Sequence, residues 1–197
     1  MHEQTGLLAH LPNAITVSRI LLIPVFVLVF LEPTPNRSLV AAAVFGLAAL
    51  TDAVDGYVAR RWGQVTSLGK LLDPIADKLL VLTALFLLVD FDRVDGSPRV
   101  EAWVAIMLAG RELAVTGLRA VAAREGINLT PETTGKVKMA TQVVAILFLI
   151  LEEAVPASLN FHEWGTLILF ISLALSLVSA AQYVRQFVLQ MLPRGGS

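Results

Sequence analysis

Six apolar segments follow one another along the chain, at roughly 14–31, 39–61, 71–90, 101–125, 134–155 and 161–190, each of about the length a helix needs to cross hydrocarbon. Polar stretches with turn chemistry separate them: Glu32-Pro-Thr-Pro-Asn36, Trp62-Gly-Gln, Asp95-Gly-Ser-Pro98, Gly126-Ile-Asn-Leu-Thr-Pro131 and Pro156. The short alternating segments of a membrane β-barrel are absent. In lipid the remaining way to satisfy every backbone polar group is the helix. The pattern therefore predicts an all-α integral membrane protein, a single domain over residues 1–197 with six transmembrane helices.

Composition supports this reading. Hydrophobic residues make up 56% of the chain and charged ones 16%, against about a quarter charged in soluble domains. Mean hydropathy is +0.72. There is no cysteine, which excludes disulfides, thiolate metal sites and thiol nucleophiles. A net charge of -1 gives no footprint for nucleic acid. No Lys or Arg precedes Arg19, so the basic start of a cleavable leader is missing and the first segment is expected to stay as a span. Asn13, Thr16 and Arg19 recur at helical spacing along it, either as an amphipathic entry helix with a snorkelling Arg19 or as part of a site lining. Pro24 should kink or tilt it.

The distribution of charge orients the bundle. If six spans alternate, Arg19, Arg60, Arg61, Lys70, Lys78, Arg111, Arg119, Arg124, Lys136, Lys138, Arg185 and Arg194 fall on one side, and only Arg37, Arg93 and Arg99 on the other. Basic residues accumulate on the cytoplasmic face, so this bias predicts a multi-pass protein of the cell membrane with both termini cytoplasmic. The opposite side collects Asp90, Asp92, Asp95, Glu152, Glu153 and Glu163.

On the basic side lies Asp52-Ala-Val-Asp55-Gly-Tyr-Val-Ala-Arg60 … Gly69-Lys-Leu-Leu-Asp73-Pro-Ile-Ala-Asp77. If both flanks are helical, Asp52 and Asp55 share one face and Asp73 and Asp77 another, so each helix directs two carboxylates to one place. Acids beside hydrocarbon are costly, and they mark a functional site by default. Carboxylate oxygens suit hard divalent cations such as Mg²⁺ or Mn²⁺, which substrate phosphates and water complete. Four Asp can hold two ions that share ligands, an arrangement suited to phosphoryl displacement. Gly56 and Ala59 leave bare helix surface for a close neighbour or a flat ligand. The alternative, salt bridges from the acids to Arg60, Arg61, Lys70 and Lys78, gives no reason for those small residues.

This stretch reads Asp-x2-Asp-Gly-x2-Ala-Arg-x8-Gly-x3-Asp-x3-Asp without a departure, and it resembles the signature of the CDP-alcohol phosphatidyltransferases. The resemblance implies a six-helix membrane bundle, usually a homodimer, with a cytoplasm-facing divalent metal site holding Mg²⁺ or Mn²⁺. Such enzymes transfer a phosphatidyl or similar group from a CDP-linked donor to an alcohol and release CMP. By the family pattern Asp52, Asp55, Asp73 and Asp77 bind metal, and Asp77 is the catalytic base. Asp52, Gly56, Ala59, Arg60 and Gly69 border the CDP moiety. The physical reading agrees: a carboxylate that takes the hydroxyl's proton makes it a better nucleophile, and an Arg near the phosphates binds them bidentately.

The acceptor must be read elsewhere. Gly110-Arg-Glu-Leu-Ala-Val-Thr-Gly-Leu-Arg119 puts Arg111 and Arg119 near one helical face, and Gly135-Lys-Val-Lys-Met-Ala-Thr-Gln142 puts Lys136 and Lys138 at the head of the fifth segment. Several fixed cations suit an acceptor that is itself an anion, most simply a phosphate ester. The competing reading is contact with anionic lipid headgroups. These segments, the opening Pro12-Asn-x-Ile-Thr-x-x-Arg19 and the late Ser179…Tyr183 are similar to the phosphatidylglycerophosphate synthases, with Met139 a departure where many relatives carry a small polar residue. That likeness implies CDP-diacylglycerol as donor and sn-glycerol 3-phosphate as acceptor, its phosphate held by Arg111, Arg119, Lys136 and Lys138. Inositol phosphate, or phosphatidylglycerol in a cardiolipin synthase, would be alternative acceptors. A small cation transporter with buried Asp residues is the alternative of another class. Glu112 either orients Arg111 or simply pairs with it, and His2, His10 and His162 read as surface residues. Ser172, Ser176 and Ser179 recur at helical spacing in the last segment and read as helix-packing contacts.

Overall fold

The structure, a computed structural model, describes residues 20–62, 67–93, 96–127, 129–130 and 133–191, with the side chains of 52–62, 67–77, 133–134 and 136 outside that description. Helices dominate it: α1 (Ile20–Phe30), α2 (Pro35–Trp62), α3 (Ser67–Asp90), α4 (Ala102–Arg124), α5 (Thr133–Leu151) and α6 (Phe161–Met191). Two short 3₁₀ turns, Glu152–Ala154 and Ala157–Leu159, connect α5 to α6. Each apolar segment of the sequence has become one helix, and no strand forms among the described residues, whose single β-bridge joins Asp92 to Pro98. The all-α class is as expected.

The core is built from the inner faces of these helices. Phe26, Phe30, Phe45, Leu85, Leu88, Leu108, Ile146, Leu149 and Ile150 are fully buried. Phe26 stacks on Phe30 with ring centroids 5.7 Å apart, and Phe91 meets Phe30 edge-on at 5.5 Å, an arrangement that suits the ring quadrupoles. The most extensive helix pair is α5 with α6. Small residues on α6 allow it: Ser172, Ser176 and Ser179 are buried, as their spacing predicts, and so is Gly165.

The outer surface is apolar as well. Leu21, Leu28, Leu47, Leu50, Ile106 and Leu113 are each more than 60% exposed. Such a surface suits a hydrocarbon surround better than water. Among the described residues one helical stretch, Ala157–Met191, is long and apolar enough to cross a membrane, its most apolar 18 residues having a mean hydropathy of 2.1, whereas the apolar Ile20–Phe30 is shorter.

Two ends of the bundle are fixed by different devices. After α4 the chain turns on Gly126 at φ +69°, where Ile127 N–H donates to the Ala122 carbonyl at 2.8 Å and Gly126 N–H to that of Ala123 at 3.3 Å. This is a Schellman closure, and only glycine takes that φ without strain. Ile127 then packs with Val115, Ala122, Leu129 and Tyr183, tying the end of α4 to α6. At the other end, Arg93 Nε donates to Glu152 at 2.6 Å and His162 Nδ1 lies 3.1 Å from the same carboxylate. His162 is thus a partly buried partner of Glu152, where the sequence suggested a surface residue. Arg99, fully buried, pairs with Glu153 and lies over the Phe30 ring, 5.9 Å from its centroid.

Candidate functional site

Both flanks of the acidic stretch are helical. Asp52, Asp55, Gly56, Ala59 and Arg60 fall within α2, and Gly69, Asp73 and Asp77 within α3. The two helices are in contact and follow each other through residues 63–66. The helical premise of the carboxylate spacing therefore holds along the backbone. The side chains of all eight residues lie outside the described residues, as does that of Lys136. Among the described residues no three His, Asp or Glu side chains gather as a metal site.

The second cluster is described in detail, and Glu112 is at its centre. Arg111 Nη1 donates to Glu112 Oε1 at 2.8 Å, and Lys138 Nζ donates to the same oxygen. Side-chain exposures of 7% for Arg111, 8% for Lys138 and 14% for Glu112 put this triad inside the bundle. Charges there persist only with partners, and the shared carboxylate serves both cations. Arg111 Nε donates to the Ser176 carbonyl of α6 at 2.8 Å. The Lys138 carbonyl accepts from Thr141 Oγ1 at 2.8 Å and from Ser172 Oγ at 3.3 Å, so the first turns of α5 are tied to α6. Ser172 thereby acts as the packing contact expected of it.

Of the four cations expected to hold an acceptor phosphate, the structure brings Arg111 and Lys138 together. Arg119 stands eight residues further along α4, about 12 Å along its axis. Its side chain is exposed and has no ion-pair partner among the described residues. The three described cations thus form a track along α4 and the head of α5, with two locked and one open.

A short relay joins this cluster to the acidic helices. Lys78 Nζ, on α3 directly after Asp77, donates to Thr116 Oγ1, and Thr116 Oγ1 donates to the Glu112 carbonyl at 2.7 Å. The turn of α4 that carries Arg111 and Glu112 is therefore docked beside the turn of α3 that follows the last acid. Sequence reasoning missed Thr116. Its one available signal was its position a helical turn after Glu112. In the sequence Lys78 reads as one of the basic residues that orient the bundle and as a candidate salt-bridge partner of the acids, and its bond to Thr116 was not foreseen.

Comparison with known proteins places this geometry in context. A family model described as CDP-alcohol phosphatidyltransferase matches residues 9–178. The chain is 39% identical over 186 residues to the CDP-diacylglycerol–glycerol-3-phosphate 3-phosphatidyltransferase of Bacillus subtilis, covering 88% of this chain and 93% of the relative. It is 35% identical over 176 residues to the protein of that name from Rickettsia bellii (89% and 94% covered). Against that of Escherichia coli K12 it is 36% identical over 177 residues (89% and 93%).

Proposed function

The chain belongs to the CDP-alcohol phosphatidyltransferase family, and from that membership we propose that it transfers the phosphatidyl group of CDP-diacylglycerol to sn-glycerol 3-phosphate, forming phosphatidylglycerophosphate and CMP. The observation that carries the acceptor is the docking of the Arg111–Glu112–Lys138 cluster against α3 just beyond Asp77, through Lys78 and Thr116. An anionic alcohol held by those cations has its hydroxyl within the neighbourhood of the acids. A neutral alcohol gives the cluster nothing to bind.

In this reading the acceptor hydroxyl oxygen attacks the phosphorus that carries the diacylglycerol. The pyrophosphate P–O bond breaks, CMP leaves with the electron pair, and the hydroxyl proton passes to Asp77. Asp52, Asp55, Asp73 and Asp77 would hold two Mg²⁺ or Mn²⁺ ions, and their donor chemistry fits those ions. Held by these residues, such ions would supply charge neutralisation for the pyrophosphate and the leaving CMP. Asp52, Gly56, Ala59, Arg60 and Gly69 border the cytidine diphosphate, with the small residues leaving room and Arg60 binding phosphate. Arg111, Arg119, Lys136 and Lys138 orient the acceptor through its phosphate, which turns an encounter into a positioned reaction.

We further read the six helices as six spans of the cell membrane with the site facing the cytoplasm, and the working unit as a homodimer. The apolar outer surface and the charge bias support the spans, and family resemblance supports the dimer. Reconstituted protein given CDP-diacylglycerol and radiolabelled glycerol 3-phosphate should make a labelled lipid, and a chelator should stop it. Cation flux without lipid labelling would instead indicate the transporter.

A further inference from the structure

Glu112 belongs to no ligand set of the reaction proposed above, yet more of the cationic cluster depends on it than on any other described side chain. Its Oε1 receives both Arg111 Nη1 and Lys138 Nζ. Its carbonyl receives Thr116, which in turn receives Lys78. Arg111 is fixed a second time, by Nε on the Ser176 carbonyl at 2.8 Å. Two anchored nitrogens immobilise the guanidinium plane. Its third nitrogen, Nη2, makes no hydrogen bond among the described residues and is not among the buried, unpaired atoms. A planar donor held rigid by its own side and open at one corner is prepared for an oxyanion.

We propose that Glu112 is a positioning residue for the acceptor's phosphate: without touching it, the carboxylate aims Arg111 and Lys138 at one point and so sets affinity for phosphate-ester acceptors. The inference rests on the reaction proposed above. Its physical basis is the flexibility of the two cations. Free Arg and Lys side chains carry considerable rotamer entropy, which binding must otherwise remove. Glu112 removes it in advance, as the partners of metal-ligating side chains do. A carboxylate in a site for an anion is repulsive in itself, so its presence between two cations is explained by what it does to them. The competing role is a strut that merely joins α4 to α5.

The test is Glu112→Gln in the full chain, reconstituted in vesicles, read by separate KM values for the two substrates and by inhibition with inorganic phosphate. The KM for glycerol 3-phosphate and the inhibition constant for phosphate should both rise about tenfold or more, the scale seen when a ligand's supporting partner is lost. The KM for CDP-diacylglycerol and kcat should change by less than about threefold. Glu112→Asp keeps the charge but withdraws the shared oxygen, and its acceptor KM should lie between wild type and Gln. This second variant serves if Gln lowers folding yield. Unchanged acceptor KM and phosphate inhibition in a folded variant, or parallel loss for both substrates with lowered thermal stability, would overturn the proposal in favour of the strut. Wild-type protein indifferent to glycerol 3-phosphate would overturn the acceptor assignment itself, a separate and recognisable result.

Discussion

Lys78 and Thr116, thirty-eight residues apart, are joined by a hydrogen bond from the ammonium of α3 to the hydroxyl of α4. The bond couples the helix of Asp73 and Asp77 to the turn bearing Arg111 and Glu112. Thr116→Val keeps the shape and removes the link. The net worth of one such bond is about 1 kcal/mol, so thermal unfolding in detergent should fall by a few degrees. Transfer should weaken through acceptor KM; unaltered stability and kinetics would show that the two helices need no such tie.

Asp77→Asn should abolish transfer while leaving expression and membrane insertion largely intact. The amide cannot take the hydroxyl proton, and general-base catalysis contributes on the order of 10² to 10⁴ in rate. CMP release by the purified variant is the measurement, and substantial residual turnover would remove Asp77 from the role of base.

Arg119→Gln should raise the KM for glycerol 3-phosphate with kcat nearly unchanged, because an exposed cation that binds substrate and transition state alike affects binding uniformly. The predicted rise is about tenfold, the loss of one charge-assisted hydrogen bond to phosphate. An unchanged KM would take Arg119 out of the pocket.

Gly165→Ala tests the seam between α5 and α6. A Cβ there would meet Leu149 Cγ at 2.8 Å, Leu149 Cδ2 at 2.9 Å and Phe148 Cβ at 3.1 Å. Overpacking of this kind costs about 1–3 kcal/mol. The variant should melt at lower temperature with both KM values unmoved. Equal stability would mean that α6 shifts freely along α5.

The helices were legible because apolar length and Pro/Gly punctuation carry them. Their ends were less so, since helices run on into polar turns that an apolar count omits. Thus α2 begins at Pro35 and not near 39, proline being well suited to a first turn that needs no N–H donor. Similarly α3 begins at Ser67 and not near 71. At the far end α5 yields to a 3₁₀ turn at Glu152, short of the expected 155. The carboxylate pairs were legible because i,i+3 and i,i+4 spacing needs only a helix. The cluster's internal wiring was not. The bond from Arg111 to the Ser176 carbonyl joins positions sixty-five apart, and a backbone acceptor has no residue-type signal. Spacing identified Arg111 and Lys138 as companions; the hydrogen bonds that join α4, α5 and α6 at Arg111, Glu112, Lys138 and Ser176 decided how they meet.

The most direct measurement offers purified, reconstituted protein CDP-diacylglycerol together with one acceptor at a time and follows CMP. The account predicts rapid CMP release with sn-glycerol 3-phosphate and little with inositol phosphate or phosphatidylglycerol. Release driven equally well by either of those, with glycerol 3-phosphate inert, would contradict it.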